Sequence, residues 1–255
     1  ILAEEVSFPI GVIKEQALSN NALWMQNFSE QAKVKLAPHG KTTMAPDLFK
    51  LQIEQGCWGI SLATVPQVIS AYEQGISRII LANQLIGAYH FALMADLLAQ
   101  GNVDFYCFVD SVENIHRLGQ YFSQRKIPLN ILLEIGVDGG RCGCRDINDT
   151  NAIVDAIAQY DELRFSGIAF YEGVIHGDNA LVEVETFVKK VSELTNQLAD
   201  DNAFYSDNVI ITGAGSAWYD VVAKQLIANV DEKINCTAII RPGCYLIHDT
   251  GIYQE

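Results

Sequence analysis

The chain has 255 residues, 49% hydrophobic and 19% charged, with 17 basic against 31 acidic side chains and a formal net charge of −14. So apolar a chain buries enough surface to offset its conformational entropy, which excludes disorder, and no three-residue glycine period or persistent heptad supports a fibrous form. Its acidic balance repels phosphate backbones and anionic lipid, so nucleic acid and membranes are not expected as partners; a globular enzyme or small-molecule binder is.

In chain order, the start Ile1-Leu2-Ala3 lacks Met and resembles no signal peptide, and no apolar run approaches the ~20 residues that span a bilayer. Residues 1–12 read as a leading segment, followed by a helix over Ile13–Gln31. Short apolar runs then alternate with stretches of helical periodicity. Strands are predicted at Val34–Pro38, Gly59–Ala63, Arg78–Ala82, Phe105–Asp110, Asn130–Ile135, Phe165–Phe170, Val209–Thr212 and Thr237–Ile240. The intervening helices are Ala45–Gln55, Val65–Glu73, Ala88–Ala99, Val112–Gln124, Thr150–Gln159, Leu181–Ala199 and Trp218–Ala228. Thr64-Val65-Pro66-Gln67 reads as a capping box, and Asp110-Ser111 and Asp149-Thr150 offer further caps. The six cysteines, several within apolar runs, read as reduced thiols and suit a cytoplasmic protein.

Runs such as Ile131-Leu132-Leu133 and Val209-Ile210-Ile211 imply strands buried on both faces, hence a parallel sheet. Eight βα units point to a TIM (β/α)8 barrel over residues 13–243, with an open doubly wound sheet as the alternative. In a barrel the chemistry lies in the loops after the strands. The polar and glycine-rich segments fall there: His39-Gly40-Lys41, Asn83-Gln84, Asp138-Gly139-Gly140-Arg141, Tyr171-Glu172-Gly173, Gly213-Ala214-Gly215-Ser216 and Arg241-Pro242-Gly243.

Lys41 is the first candidate, because the walls of a barrel mouth desolvate an ammonium and make its amine nucleophilic. Gly213-Ala214-Gly215-Ser216-Ala217 leads into a helix start and, with Arg241-Pro242-Gly243-Cys244-Tyr245, forms a candidate phosphate cradle after strands seven and eight. It is a poor dinucleotide fingerprint, since Trp218 occupies the third glycine position. Arg141, flanked by glycines, can approach a ligand closely, and Tyr171 ends strand six at the mouth. Cys142-Gly143-Cys144 lacks the second pair that a structural zinc site needs, and of the scattered histidines only His39 and His176 fall at mouth loops, so no metal ligands are assigned.

These segments, with Trp58-Gly59-Ile60-Ser61-Leu62-Ala63-Thr64 and in this order, resemble the alanine-racemase-like, fold-type III pyridoxal-phosphate enzymes, nearest the D-threonine aldolase and D-serine dehydratase branch with its Pro-His-x-Lys-Thr segment. The resemblance implies pyridoxal 5'-phosphate on Lys41 as a Schiff base, His39 beside it, and Arg141 and Tyr171 at the cofactor ring. It implies a phosphate cradle of Gly215, Ser216, Gly243 and Tyr245. It further implies a lyase for D-3-hydroxy amino acids, acting as a homodimer. A C-terminal β domain, carrying ligands for a divalent metal, would begin about where this chain ends. Residues 244–255 are then expected to start the connection to it, with an N-terminal strand before Phe8 joining it. The alternatives are an amino acid racemase, a non-catalytic pyridoxal-phosphate carrier, and a sugar-phosphate barrel enzyme using Lys41 without a cofactor.

Overall fold

The computed structural model describes residue 7 and residues 9–248. The strand expected before Phe8 and the connection expected beyond residue 248 lie outside the described residues. Helix α1 (Glu15–Gln31) precedes eight strands: β1 (Lys35–Leu36), β2 (Ile60–Leu62), β3 (Arg78–Gln84), β4 (Asp104–Val109), β5 (Leu129–Ile135), β6 (Leu163–Phe170), β7 (Val209–Gly213) and β8 (Cys236–Ile240). Between them run α2 (Pro46–Glu54), α3 (Val65–Glu73), α4 (Ala88–Leu98), α5 (Val112–Arg125), α6 (Ile147–Ile157), α7 (Ala180–Asp200) and α8 (Tyr219–Asn229).

All strand pairs are parallel, in the order β1-β8-β7-β6-β5-β4-β3-β2. The seam between β1 and β2 is closed by the Trp58 amide donating to Leu36 O at 2.7 Å, the Ser61 amide to Pro38 O at 2.9 Å and the Ser61 hydroxyl to Ala37 O at 2.8 Å. Those three bonds decide for the TIM barrel over an open sheet.

Strand alternation sorts the apolar side chains into two shells. Leu36, Ile79, Cys107, Leu133, Ile168, Ile211 and Ile240 face outward into the layer shared with the helices. Ala37, Ile80, Phe108, Leu132, Ala169, Ile210 and Ile239 fill the barrel interior. Two residues beyond most of these interior positions, towards the C-terminal ends, the interior layer turns mostly polar: His39, Glu134, Tyr171 and Arg241, with Ala82, line the mouth.

One irregularity sets that layer. The β5–β6 register pairs Ile131 with Phe165 and Leu132 with Gly167, leaving Ser166 as an extra residue. Phe165 and Ile168 therefore both face outward, although simple alternation would send them to opposite faces. Gly167, at φ +150°, passes so close to the Ile210 carbonyl that no Cβ fits.

Most predicted boundaries shift by one or two residues, and two segments differ more. Helix α6 starts at Ile147 rather than Thr150, because Asp146 caps it by accepting from the Asn148 amide at 2.6 Å; Asp149 lies in the first turn. The segment after β1, expected as plain loop, makes a single 3-10 turn over Gly40–Thr42 that carries Lys41. Thr64 and Ser111 cap α3 and α5 as expected, and Gln67 reciprocates by accepting from the Ala63 amide at 2.9 Å. No helix among the described residues is long and apolar enough to cross a membrane.

Candidate active site

The cavity at the C-terminal end of the barrel is floored by Ala82 and Phe108 and walled by residues from the ends of five strands, β1, β5, β6, β7 and β8. Of the predicted site residues, His39, Lys41, Arg141, Tyr171, Gly215, Ser216 and Gly243 line it. Tyr245 does not: its hydroxyl accepts from Gln52 Nε2 at 3.0 Å, and its ring lines the adjoining groove between α1 and α8 with Ser216 and Cys244. His176 is exposed and lies outside both.

Three cations, from the segments after β1, β5 and β8, line the cavity. Lys41 is solvent-accessible, but partial desolvation and then the Arg141 and Arg241 guanidiniums lower its pKa, favouring the neutral amine. His39 is pushed down to about 3, chiefly by burial and then by Lys41, Arg241 and Arg141, so its imidazole is neutral at physiological pH; its Nδ1 has no partner among the described residues. Arg141 stacks on Tyr171, its guanidinium carbon 4.4 Å from the ring centre. Desolvation and then the Glu172 charge push the Tyr171 phenol up, so it stays protonated.

Arg241 and Glu134 belong to the mouth more intimately than their sequence context suggested. Arg241 is buried, donates from Nη2 to Phe170 O at 2.6 Å and lies 5.1 Å above the Phe108 ring, while its Nε has no partner among the described residues. Burial lowers it to about 10, which still leaves it charged at neutral pH. Glu134 accepts from Gln84 Nε2 at 2.7 Å and is pushed up by burial, with Arg241 opposing. The signal for both was present in the chain: each lies two residues past an interior strand position, Ile239 and Leu132. Asp110, Glu134 and Cys142 bring ligand-type atoms within 4.8 Å of one another, with the Gly143 amide already bonded to Asp110 and Gln84 to Glu134.

Beside the Lys41 turn the two glycine-bearing segments meet. Ser216 Oγ accepts from the Gly243 amide at 3.1 Å and the Cys244 amide at 3.0 Å. Gly243 has to be glycine, because a Cβ would press on Thr42 Oγ1 and come within 2.8 Å of His39 O. A Cβ on Gly215 would stand 2.8 Å from Tyr171 Cε2. A serine hydroxyl polarised by two amides, with cations nearby, forms a site suited to an anion beside a nucleophilic amine.

Relatives carry the same architecture. A D-threonine aldolase of Arthrobacter sp. is 25% identical over 225 residues, 86% of this chain and 58% of that protein. A 3-hydroxy-D-aspartate aldolase of Paracoccus denitrificans (strain Pd 1222) is 26% identical over 196 residues, 76% of this chain and 49% of that protein. The chain thus spans about half to three-fifths of the length of these curated relatives. Among solved structures, a D-threonine aldolase from Filomicrobium marinum superposes with a TM-score of 0.80 at 21% identity, covering 96% of this chain and 63% of that one. The match establishes the fold. Residues 13–246 match the family described as alanine racemase, N-terminal domain, and the chain belongs to that family.

Proposed function

We propose that the protein is a pyridoxal-phosphate-dependent lyase acting on D-3-hydroxy amino acids. The observation that carries this reading is the amine of Lys41, depressed in pKa, sharing a cavity with Ser216, on whose Oγ the Gly243 and Cys244 amides converge. The residues fit the cofactor. A phosphate matches that donor group, an aldehyde matches Lys41, and an aromatic ring with polar substituents matches Arg141, Tyr171 and the unpartnered His39 Nδ1. In an acidic chain, Lys41, Arg141 and Arg241 supply the local positive potential that a phosphorylated ligand requires.

When bound, the cofactor supplies an electron sink for bonds at the α-carbon of an amino acid. The chain's own residues provide the rest. Lys41 would hold the cofactor covalently and, once it is released by substrate, its Nζ, lowered in pKa, would be the group to accept the α-proton. Arg141, over the Tyr171 ring, helps keep that phenol oriented, and the Tyr171 hydroxyl, its pKa raised, is a donor at neutral pH. His39 stays neutral and adds no charge beside Lys41. The relatives, a D-threonine aldolase and a 3-hydroxy-D-aspartate aldolase, support the substrate class.

The purified protein is expected to take up pyridoxal phosphate and show a visible absorption band, which Lys41→Ala abolishes. A colourless protein that takes up none would overturn the reading. With D-threonine, glycine and acetaldehyde identify an aldolase and 2-oxobutanoate a dehydratase, and chelator sensitivity identifies a metal requirement. Interconversion of isomers would make it a racemase, and cofactor uptake without turnover a carrier.

A further inference from the structure

Beneath the glycine-rich turn that follows β7 lies a carboxylate with no solvent contact. Glu172 follows Tyr171 at the end of β6 and is 0% exposed. Its Oε2 accepts from the Ala214 amide and its Oε1 from the Gly215 amide, both at 3.0 Å. Two successive amides turned to one side form the kind of concavity in which proteins bind anions. Here the chain fills that concavity with its own side chain.

The turn requires such a hold. Ala214 sits at φ +65°, in the left-handed region that a residue with a Cβ enters rarely. Burial pushes the Glu172 carboxyl above its usual range, while the Gly215 amide, Arg241 and the Ala214 amide oppose that rise. A carboxylate withdrawn from water is costly unless donors meet both oxygens, so mere space-filling would favour an apolar side chain. With the Ala214 and Gly215 amides committed to Glu172 and the Gly243 and Cys244 amides donating to Ser216 Oγ, Ser216 keeps a hydroxyl proton to donate at the cavity wall, and its place depends on the bend of the turn.

We propose that Glu172 is a positioning residue: its carboxylate holds the 213–216 turn in the bend that brings Ser216 to Gly243 and Cys244, and thereby sets the site's affinity for the phosphate group of its cofactor. This rests on the pyridoxal-phosphate reading above and adds a residue that touches neither ligand nor reacting atoms.

The test compares two ligands that share ring and aldehyde but differ in the phosphate. Apo full-length protein is titrated with pyridoxal phosphate and with pyridoxal. Glu172→Gln keeps the side chain's size but replaces one acceptor by an NH2 group that meets a backbone N–H. The affinity for pyridoxal phosphate is expected to fall about 10- to 100-fold, while that for pyridoxal changes by less than about twofold. Equal losses for both ligands, accompanying a lower melting temperature, would overturn the proposal and make Glu172 a residue of general stability. An unchanged pyridoxal-phosphate affinity would overturn it as well. If Glu172→Gln does not fold, Glu172→Asp, one methylene too short to reach both amides, reads the same ratio. Unsubstituted protein that binds neither ligand would overturn the cofactor reading and this proposal with it, an outcome visible before any substitution is made.

Discussion

The guanidinium carbon of Arg141 stands 4.4 Å from the centre of the Tyr171 ring, so a side chain from the loop after β5 is locked over one at the end of β6. A planar cation on an aromatic face is held in orientation as well as in place. The same charge acts on Lys41, whose pKa is depressed first by desolvation and then by Arg141.

Replacing Arg141 by Ala is therefore expected to raise the Lys41 pKa. The pH midpoint for acylation of Lys41 by a small neutral reagent, followed by mass spectrometry, should move upward. Arg141→Lys, which keeps the charge and loses the planar stack, should move it less. A midpoint unmoved by Arg141→Ala would contradict the electrostatic account.

His39 supplies an acid-limb prediction. Its pKa falls from 6.5 in the unfolded chain to about 3 in the fold. Between those values the unfolded chain binds the extra proton, so the neutral imidazole's contribution is fully present above pH 6.5 and is lost as the pH falls towards 3. Each pH unit in that window is worth at most about 1.4 kcal/mol. Glu134 and Glu172, whose pKa values are raised, act in the opposite sense: their contribution is present below the ordinary carboxylate range and fades as the pH rises through their folded values. The quantity to measure is accordingly the difference between wild type and His39→Asn in denaturant unfolding from pH 7 to 4. The variant should lose less stability on acidification.

Gly243→Ala places a methyl against Thr42 Oγ1 and His39 O, the backbone that leads into the Lys41 turn. Overpacking of this kind costs about 1–3 kcal/mol. Thermal unfolding should register that loss, and the visible band from cofactor uptake should weaken because the displaced segment carries Lys41. A variant as stable and as competent as wild type would show that the turn yields freely.

Gly167→Ala is expected to be more severe. The new methyl meets the Ile210 carbonyl inside the sheet, at a φ of +150° that L side chains rarely adopt, and the cost should be on the order of 3 kcal/mol or more. The informative readout is its location: hydrogen exchange should increase along β6 and β7, whose ladder pairs Gly167 with Ile210. Protection unchanged there would refute the account of the bulge.

Much of this architecture is legible in the chain. The apolar runs of β5 and β7 announce strands buried on both sides, and Thr64 and Ser111 cap the helices they precede, because these are local properties of backbone and side chain. His39, Lys41, Arg141, Tyr171, Ser216 and Gly243 were likewise visible as polar or glycine-rich interruptions immediately after strands, and a closed parallel barrel gathers all such positions at one end. Tyr245 followed a strand too, but it lies five residues past β8, where chain direction no longer follows from strand geometry; contacts with Gln52 and Cys57 turn it away from the cavity.

By itself, then, the amino-acid sequence determined the number of βα units, their parallel sense and the residues delivered to the mouth, since hydrophobic period and capping act over a few residues. Closure at the β1–β2 seam and the occupation of the Ala214 and Gly215 amides by Glu172 were decided by groups far apart in the chain. The extra residue at Ser166 belongs with them. Because side chains alternate with a period of two, that one residue chooses which of Tyr171 and Glu172 faces the cavity and which is buried as the clamp behind it.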